Sequence, residues 1–164
     1  LYQASTPIFV RMLGNLKNIL AKGEAYAAAK KFDGAVLVNS RLAPDMFALA
    51  KQVQIASDMA KGCVARLGGV EPPKFEDNET TLGELMARVD KTIAFIQTVK
   101  AEQMEGSETR SITLKFPNAE YHFTGLDYLQ NYAMPNVYFH IATAYNILRH
   151  NGVGLGKKDY LGGA

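Results

Sequence analysis

Net charge is small in this sequence. Its 18 Lys and Arg stand against 16 Asp and Glu, leaving a formal charge of +2, and the basic residues are scattered among acids without forming a stripe. A nucleic-acid partner, which needs cations gathered on one face, is not expected. Cysteine is nearly absent. Cys63 stands alone, so no internal disulfide can form, and a reducing compartment, the cytoplasm, is the expected setting. No stretch reads as a secretory leader, and a start at Leu1 rather than Met leaves the natural N-terminus open. Charge is missing altogether from Tyr128 to Leu148. That run still contains Gln130, Asn131, Pro135, Asn136, His140, Thr143 and Asn146, polar groups that hydrocarbon would reject. A buried helix is expected there, with no membrane partner.

What is present suits one domain over residues 1–164, long enough to bury about two-thirds of its unfolded surface. Hydrophobic residues make up 48% and charged ones 21%, which argues against disorder. Thr6-Pro7 reads as a helix start, and Ile8, Met12, Leu13, Leu16, Ile19 and Leu20 keep a helical period to about Lys22. "EAYAAAKKF" continues as a second piece after Gly23, and "DGAVLVNSRL" as a connector. Pro44 and Asp45 open a second long helix that Gly68-Gly69 closes. After the loop "VEPPKFEDNE", Thr81 and Glu84 offer a capping box for a third, carrying Leu82, Leu85, Met86, Val89, Ile93 and Ile96. Ser111 to Phe123 alternates like a β-hairpin around "PNA". Thr124 and Asp127 then cap a fourth helix, which Pro135 should kink and Asn151-Gly152 should end. The expected fold is all-α: a four-helix bundle with a small hairpin between the third and fourth long helices.

His140 is the residue in the uncharged run that could carry chemistry. It shares a helical face with Asn136 and Thr143, and Tyr132 lies a turn further back. On the second helix, Asp45 and Gln52 are seven apart and share a face. A carboxylate, a carboxamide and an imidazole converging between helices would make a small polar site. There His140 and Asp45 are the catalytic candidates, and Gln52, Tyr132, Asn136 and Thr143 the ligand-binding ones. The bland alternative is a hydrogen-bonded core histidine, since buried polar groups must find partners anyway. A metal is not expected: Ala144 stands where a second helical histidine would, His122 lies in the hairpin, and His150 suits a helix C-terminus better. Cys63 reads as an inert buried thiol. "GVGLGKKDYLGG" matches no phosphate loop and reads as a tail laying Leu155, Tyr160 and Leu161 on the bundle.

The segments "RLAPDMFALAKQVQIASDMAKG", "EPPKFEDNETTLGEL" and "MPNVYFHIATAYNILRHNGVGLGKKDYLG" resemble a bacterial and fungal branch of the DinB/YfiT-like superfamily, known mainly as a domain of unknown function. The resemblance spans nearly the whole chain and implies a DinB-type four-helix bundle, commonly dimeric. Metal-binding relatives use three histidines, one on the second helix and two spaced by four on a later one. Here the pattern finds His140 alone, so no metal or other cofactor is expected.

Three readings follow. One is a small-molecule-binding protein with a polar inter-helix pocket around His140, acting without metal; the branch's fungal members suggest hydrolytic release or cyclisation of an acyl or polyketide-like substrate. Another is a divergent metal-dependent thiol transferase. The third is a non-catalytic dimerisation module. A homodimer through part of the first or fourth helix is expected in any case. The fourth helix carries Tyr138, Phe139, Ile141, Tyr145, Ile147 and Leu148 around most of its circumference, more than one buried stripe requires.

Overall fold

A computed structural model describes residues 1–163. Four long helices, α1 (Tyr2–Lys30), α3 (Leu49–Gly68), α4 (Leu82–Thr98) and α6 (Met134–His150), form the bundle. Short helices α2 (Ala35–Val38), α5 (Gly125–Asp127) and α7 (Lys157–Leu161) and a hairpin of β1 (Ser111–Phe116) and β2 (Ala119–Thr124) complete it. α1 packs on α4 and α6, and α3 packs on the same two, so α1 and α3 lie across one diagonal. The chain therefore crosses the bundle twice, from α1 to α3 and from α4 to α6.

Two helix starts differ from the sequence expectation. α1 begins at Tyr2, with Pro7 inside it and Thr6 facing the core at 2% exposure. Burial holds the extra turn, because Leu1 and Tyr2 pack on the core. The helix also runs straight through Gly23, where a Cβ would come within 3.2 Å of Leu148. Glycine there admits α6 rather than ending α1. The second long helix starts at Leu49, so Asp45 is not on it. Pro44 and Asp45 instead occupy the centre of a turn closed by Met46 N–H donating to Ala43 O at 3.1 Å. Proline at the second position of a turn is as favourable as proline opening a helix, and the diagonal crossing needs the turn.

The capping box of α4 is formed: Thr81 Oγ1 accepts from Glu84 N–H at 3.1 Å, and the Glu84 carboxylate accepts from Thr80 N–H at 2.7 Å and Thr81 N–H at 3.3 Å. In the hairpin Phe116 pairs with Ala119 across a two-residue turn, and Ile112 and Leu114 face inward. The break around Pro135 is a wide π-helical turn over Tyr128–Ala133, after which Pro135 sits in the first turn of α6. Ile141, Ile147 and Leu148 are wholly buried. Much of the apolar excess of the fourth helix is thus spent inside one chain. Tyr138 and Phe139 stay exposed. The tail lies along α1, held by Asn15 donating to Tyr160 O and Arg11 to Leu161 O, both at 2.9 Å. Leu155 is buried, but the Leu161 side chain is exposed.

Arg88 is 1% exposed, on the core face of α4. Its guanidinium lies 3.1 Å from Asp58 of α3, 3.0 Å from Asp77 and 3.0 Å from Glu79, and donates to Glu76 O at 2.9 Å. The loop between α3 and α4 is thereby tied to both helices. Phe75 of that loop lies under Lys61 Nζ at 3.9 Å and Lys91 Nζ at 4.0 Å. Burial alone would raise the Asp77 and Glu79 carboxyl pKa values. Hydrogen bonds and charge from Lys51 and Arg88 for Asp77, and from Arg88 and Gln54 for Glu79, outweigh burial and hold both below the ordinary carboxylate range.

Replacing Arg88 with Met should cost about 3 kcal/mol, the low end for breaking a buried ion pair, because Asp58 and Asp77 retain water. Urea unfolding measures it; a change under about 1 kcal/mol would show that the loop holds itself.

Candidate functional site

Gln52 lies on the side of α3 that packs against α6, and His140 faces it. Both are buried, at 2% and 8% exposure. His140 Nδ1 is 2.6 Å from Gln52 Oε1, and Gln52 Nε2 donates to Phe47 O at 3.1 Å. A backbone carbonyl can only accept, which fixes the Gln52 amide, and its oxygen in turn requires a proton on Nδ1. The lone pair is therefore on Nε2. Among the described residues that nitrogen has no hydrogen bond, and it is not wholly buried. Burial lowers the imidazole pKa below its ordinary 6.5, so at neutral pH the ring is an uncharged base of one tautomer. Phe139 stands edge-on to it, with ring centres 5.1 Å apart at 87°. Phe139, 56% exposed, leaves an apolar margin beside a polar atom.

The other sequence candidates do not join this pair. Asp45, in the connector turn, is exposed and does not share a helical face with Gln52. Asn136 and Thr143 turn back on their own helix, donating to Tyr132 O and Phe139 O, both at 2.7 Å. Tyr132 stacks in an aromatic group with Phe123 and Tyr128, at 5.4 and 5.8 Å between centres. Burial pushes the Cys63 thiol up to about 12, which keeps it a thiol. Tyr128 is also pushed up to about 12 by burial, and its hydroxyl accepts from Arg66 at 3.0 Å. Hollows mark the surface of the described residues, among them one of about 400 Å³ beside Lys61, Arg66 and Phe75 and one of about 330 Å³ beside Arg88 and Lys91. Neither of these is lined by His140 or Gln52.

Residues 1–161 match the family described as Domain of unknown function (DUF1993). The chain belongs to that family. A crystal structure of a DinB family member protein from Shewanella denitrificans is similar to this DUF1993 chain. It shares 45% sequence identity and a TM-score of 0.89, covering 98% of this chain and 90% of that one. No curated protein matches the chain. The DUF1993 domain therefore has the DinB-like fold that its segments resemble, a bundle of helices with a two-stranded antiparallel hairpin. No helix among the described residues is long and apolar enough to cross a membrane.

The donors of this DUF1993 domain do not fit the three-histidine metal site of DinB relatives. The position four residues on from His140 is Ala144, fully buried, and α3 carries no histidine. Among the described residues no three His, Cys, Asp or Glu side chains gather in a metal-binding group. Sequence reading missed Arg88 and the Phe47 carbonyl. Arg88 did carry a signal: it falls on the stripe Leu85, Arg88, Val89, Thr92, Ile96, where every member is buried. The Phe47 carbonyl carried none, because its position follows from the connector turn.

A folded pKa below the unfolded value means that the unfolded chain binds the His140 proton more readily. Its contribution is fully present above pH 6.5 and is lost as pH falls from there towards the depressed value. Asp77 and Glu79, with lowered pKa values, lose theirs further down, below their ordinary 3.8 and 4.5. Urea unfolding between pH 7 and 5 should show stability falling in the wild type, with a flatter slope in His140→Gln. Equal slopes would exclude His140 as the source.

Proposed function

We propose that this protein binds a small organic molecule at the mouth of the α3–α6 seam and acts on it without a metal, His140 Nε2 serving as acceptor or general base. One observation carries the reading. Of the two imidazole nitrogens, Nδ1 is locked by Gln52, itself locked by the Phe47 carbonyl, and the other is left as an open lone pair. A core histidine with a structural role alone has no need of a nitrogen left without a partner. Phe47 and Phe139 would supply apolar contact, and Nε2 would fix orientation, the usual composition of a ligand site.

The chemistry available to a single neutral base is proton abstraction. A water hydrogen-bonded to Nε2 gives its proton to that nitrogen as its oxygen attacks an acyl carbon, and the imidazolium returns the proton to the leaving group. Gln52 would hold the ring in orientation throughout. An acyl or polyketide-like substrate is the class proposed, released by hydrolysis or closed by attack of its own hydroxyl. Asp45 has no part in this step, since it lies exposed on the connector.

Hydrolysis of p-nitrophenyl esters of graded chain length tests the proposal. Turnover should be level above pH 6.5 and fall as pH drops below it, because the protonated ring cannot act as a base. His140→Ala should lower kcat by about a hundredfold or more, the contribution of a positioned base. Gln52→Leu should lower it less while leaving KM nearly unchanged. A His140→Ala protein that remains folded and hydrolyses the esters like the wild type rules the reading out.

A further inference from the structure

The hairpin leaves a backbone edge open. Every residue of β2 is exposed except Phe123, which is half-buried. A two-stranded sheet is marginal by itself, and an unpaired edge is a template for another strand. The two-residue turn at Pro117 and Asn118 makes Phe116 and Ala119 the hydrogen-bonded pair that closes it. By alternation, Glu120, His122 and Thr124 turn their backbone N–H and C=O groups away from β1, towards the open edge. Side chains alternate too. Ile112, Leu114, Phe116, Tyr121 and Phe123 share one face, and Thr113, Lys115, Glu120 and His122 the other. The inner part of the apolar face is covered by the bundle. Its outer part is not, for Phe116 is 47% and Tyr121 49% exposed, their rings edge-on at 5.8 Å. These two rings border a hollow of about 360 Å³ that Tyr132 closes on the bundle side.

We propose that this edge pairs with the same edge of a second copy. β2 lies antiparallel to its counterpart about a two-fold axis at Tyr121, making a four-stranded sheet ordered β1-β2-β2-β1. The backbone permits this register. Glu120 and the partner's His122 stand directly opposite and exchange both main-chain hydrogen bonds, because theirs are the groups facing outward. Tyr121 meets the partner's Tyr121 in the close, non-hydrogen-bonded position. Complementarity of side chains, a carboxylate opposite an imidazole, selects it over its neighbours. Glu120 Oε1 already lies 3.1 Å from His122 Nε2 of its own strand, and Thr113 Oγ1 lies 3.2 Å from His122 Nδ1. In the pair each carboxylate faces an imidazole across the seam as well, twice by symmetry. An axis at Glu120 would set two carboxylates together, and one at His122 would set two imidazoles together. An axis at Phe123 would need Thr124, whose hydroxyl already caps α5. On the apolar face, two Phe116–Tyr121 pairs merge into one four-ring cluster, covering what the monomer leaves bare.

Sedimentation of the full chain at micromolar concentration should find a species of twice its 18.0 kDa mass. His122→Glu sets carboxylates against each other at both ends of the seam and should weaken the dimer by about tenfold or more. The exchanged pair, Glu120→His with His122→Glu, restores the opposition and should restore the dimer. Both positions are exposed, so circular dichroism and the urea midpoint confirm that each variant is folded. A monomer throughout the micromolar range overturns the proposal. A dimer indifferent to His122→Glu, such as one dissociated instead by Phe139→Asp on α6, also overturns it. Failure of the exchanged pair to restore association overturns the register and the proposal with it.

Discussion

A carboxamide offers one acceptor end and one donor end, and Gln52 uses both across a single seam. Its donor end holds the Phe47 carbonyl, the last stretch of the connector before α3, and its acceptor end holds His140 on α6. The connector, α3 and α6 are thereby set in one geometry. Neither end can be exchanged without leaving a buried polar group unpaired, a loss of about 1–3 kcal/mol each. The connector's path and the tautomer of His140 therefore depend on one side chain, which also joins α3 to α6.

α3 carries a second polar anchor on another side, of opposite character. Arg88 meets three carboxylates there and fixes the loop between α3 and α4, with Phe75 held between two lysines. Charge there is local and compensated, and it orders chain that has no regular structure. At the Gln52 seam nothing is charged. A neutral imidazole beside a neutral amide keeps its proton affinity low because burial is the sole influence on it. A carboxylate in the place of Gln52 would have raised that affinity and held the ring protonated. The amide is what leaves His140 a base at neutral pH.

The bundle was legible in the sequence where periodicity and caps agreed. α4 shows this best, since Thr81 and Glu84 mark its start and the apolar stripe its buried face. The hairpin was legible for the same reason: alternation and a turn pointed to one answer. Signals with two meanings misled. Pro44-Asp45 suits a helix start and a turn equally, and tertiary crossing, invisible to a local pattern, decided for the turn. Gly23 read as a break because glycine weakens helices, whereas here it makes room for Leu148. Of the proposed site, helical spacing offered Gln52 and His140 as candidates, and the packing of α3 on α6 is what brings the two together. The withdrawal of Asn136 and Thr143 did not, because a side chain that can bond its own helix has a partner at any burial. Asp45 failed with the helix that was meant to carry it.

Stability is a weak reason for the Gln52–His140 pair to exist. A hydrogen bond between neutral groups contributes about 1 kcal/mol net, and two aliphatic side chains filling the same seam would gain a comparable or larger amount from burial. Such a replacement would also remove the polar atoms that the amide and the imidazole must satisfy. What aliphatic residues could not supply is an oriented lone pair at the surface end of the seam. The DinB resemblance implies a three-histidine metal site in some relatives. In this chain Ala144 stands where a second helical histidine would, and α3 carries no histidine, so that ligand set is not formed. The feature that stability does not require, and that metal binding would have consumed, is Nε2, and it is the atom on which the proposed chemistry turns.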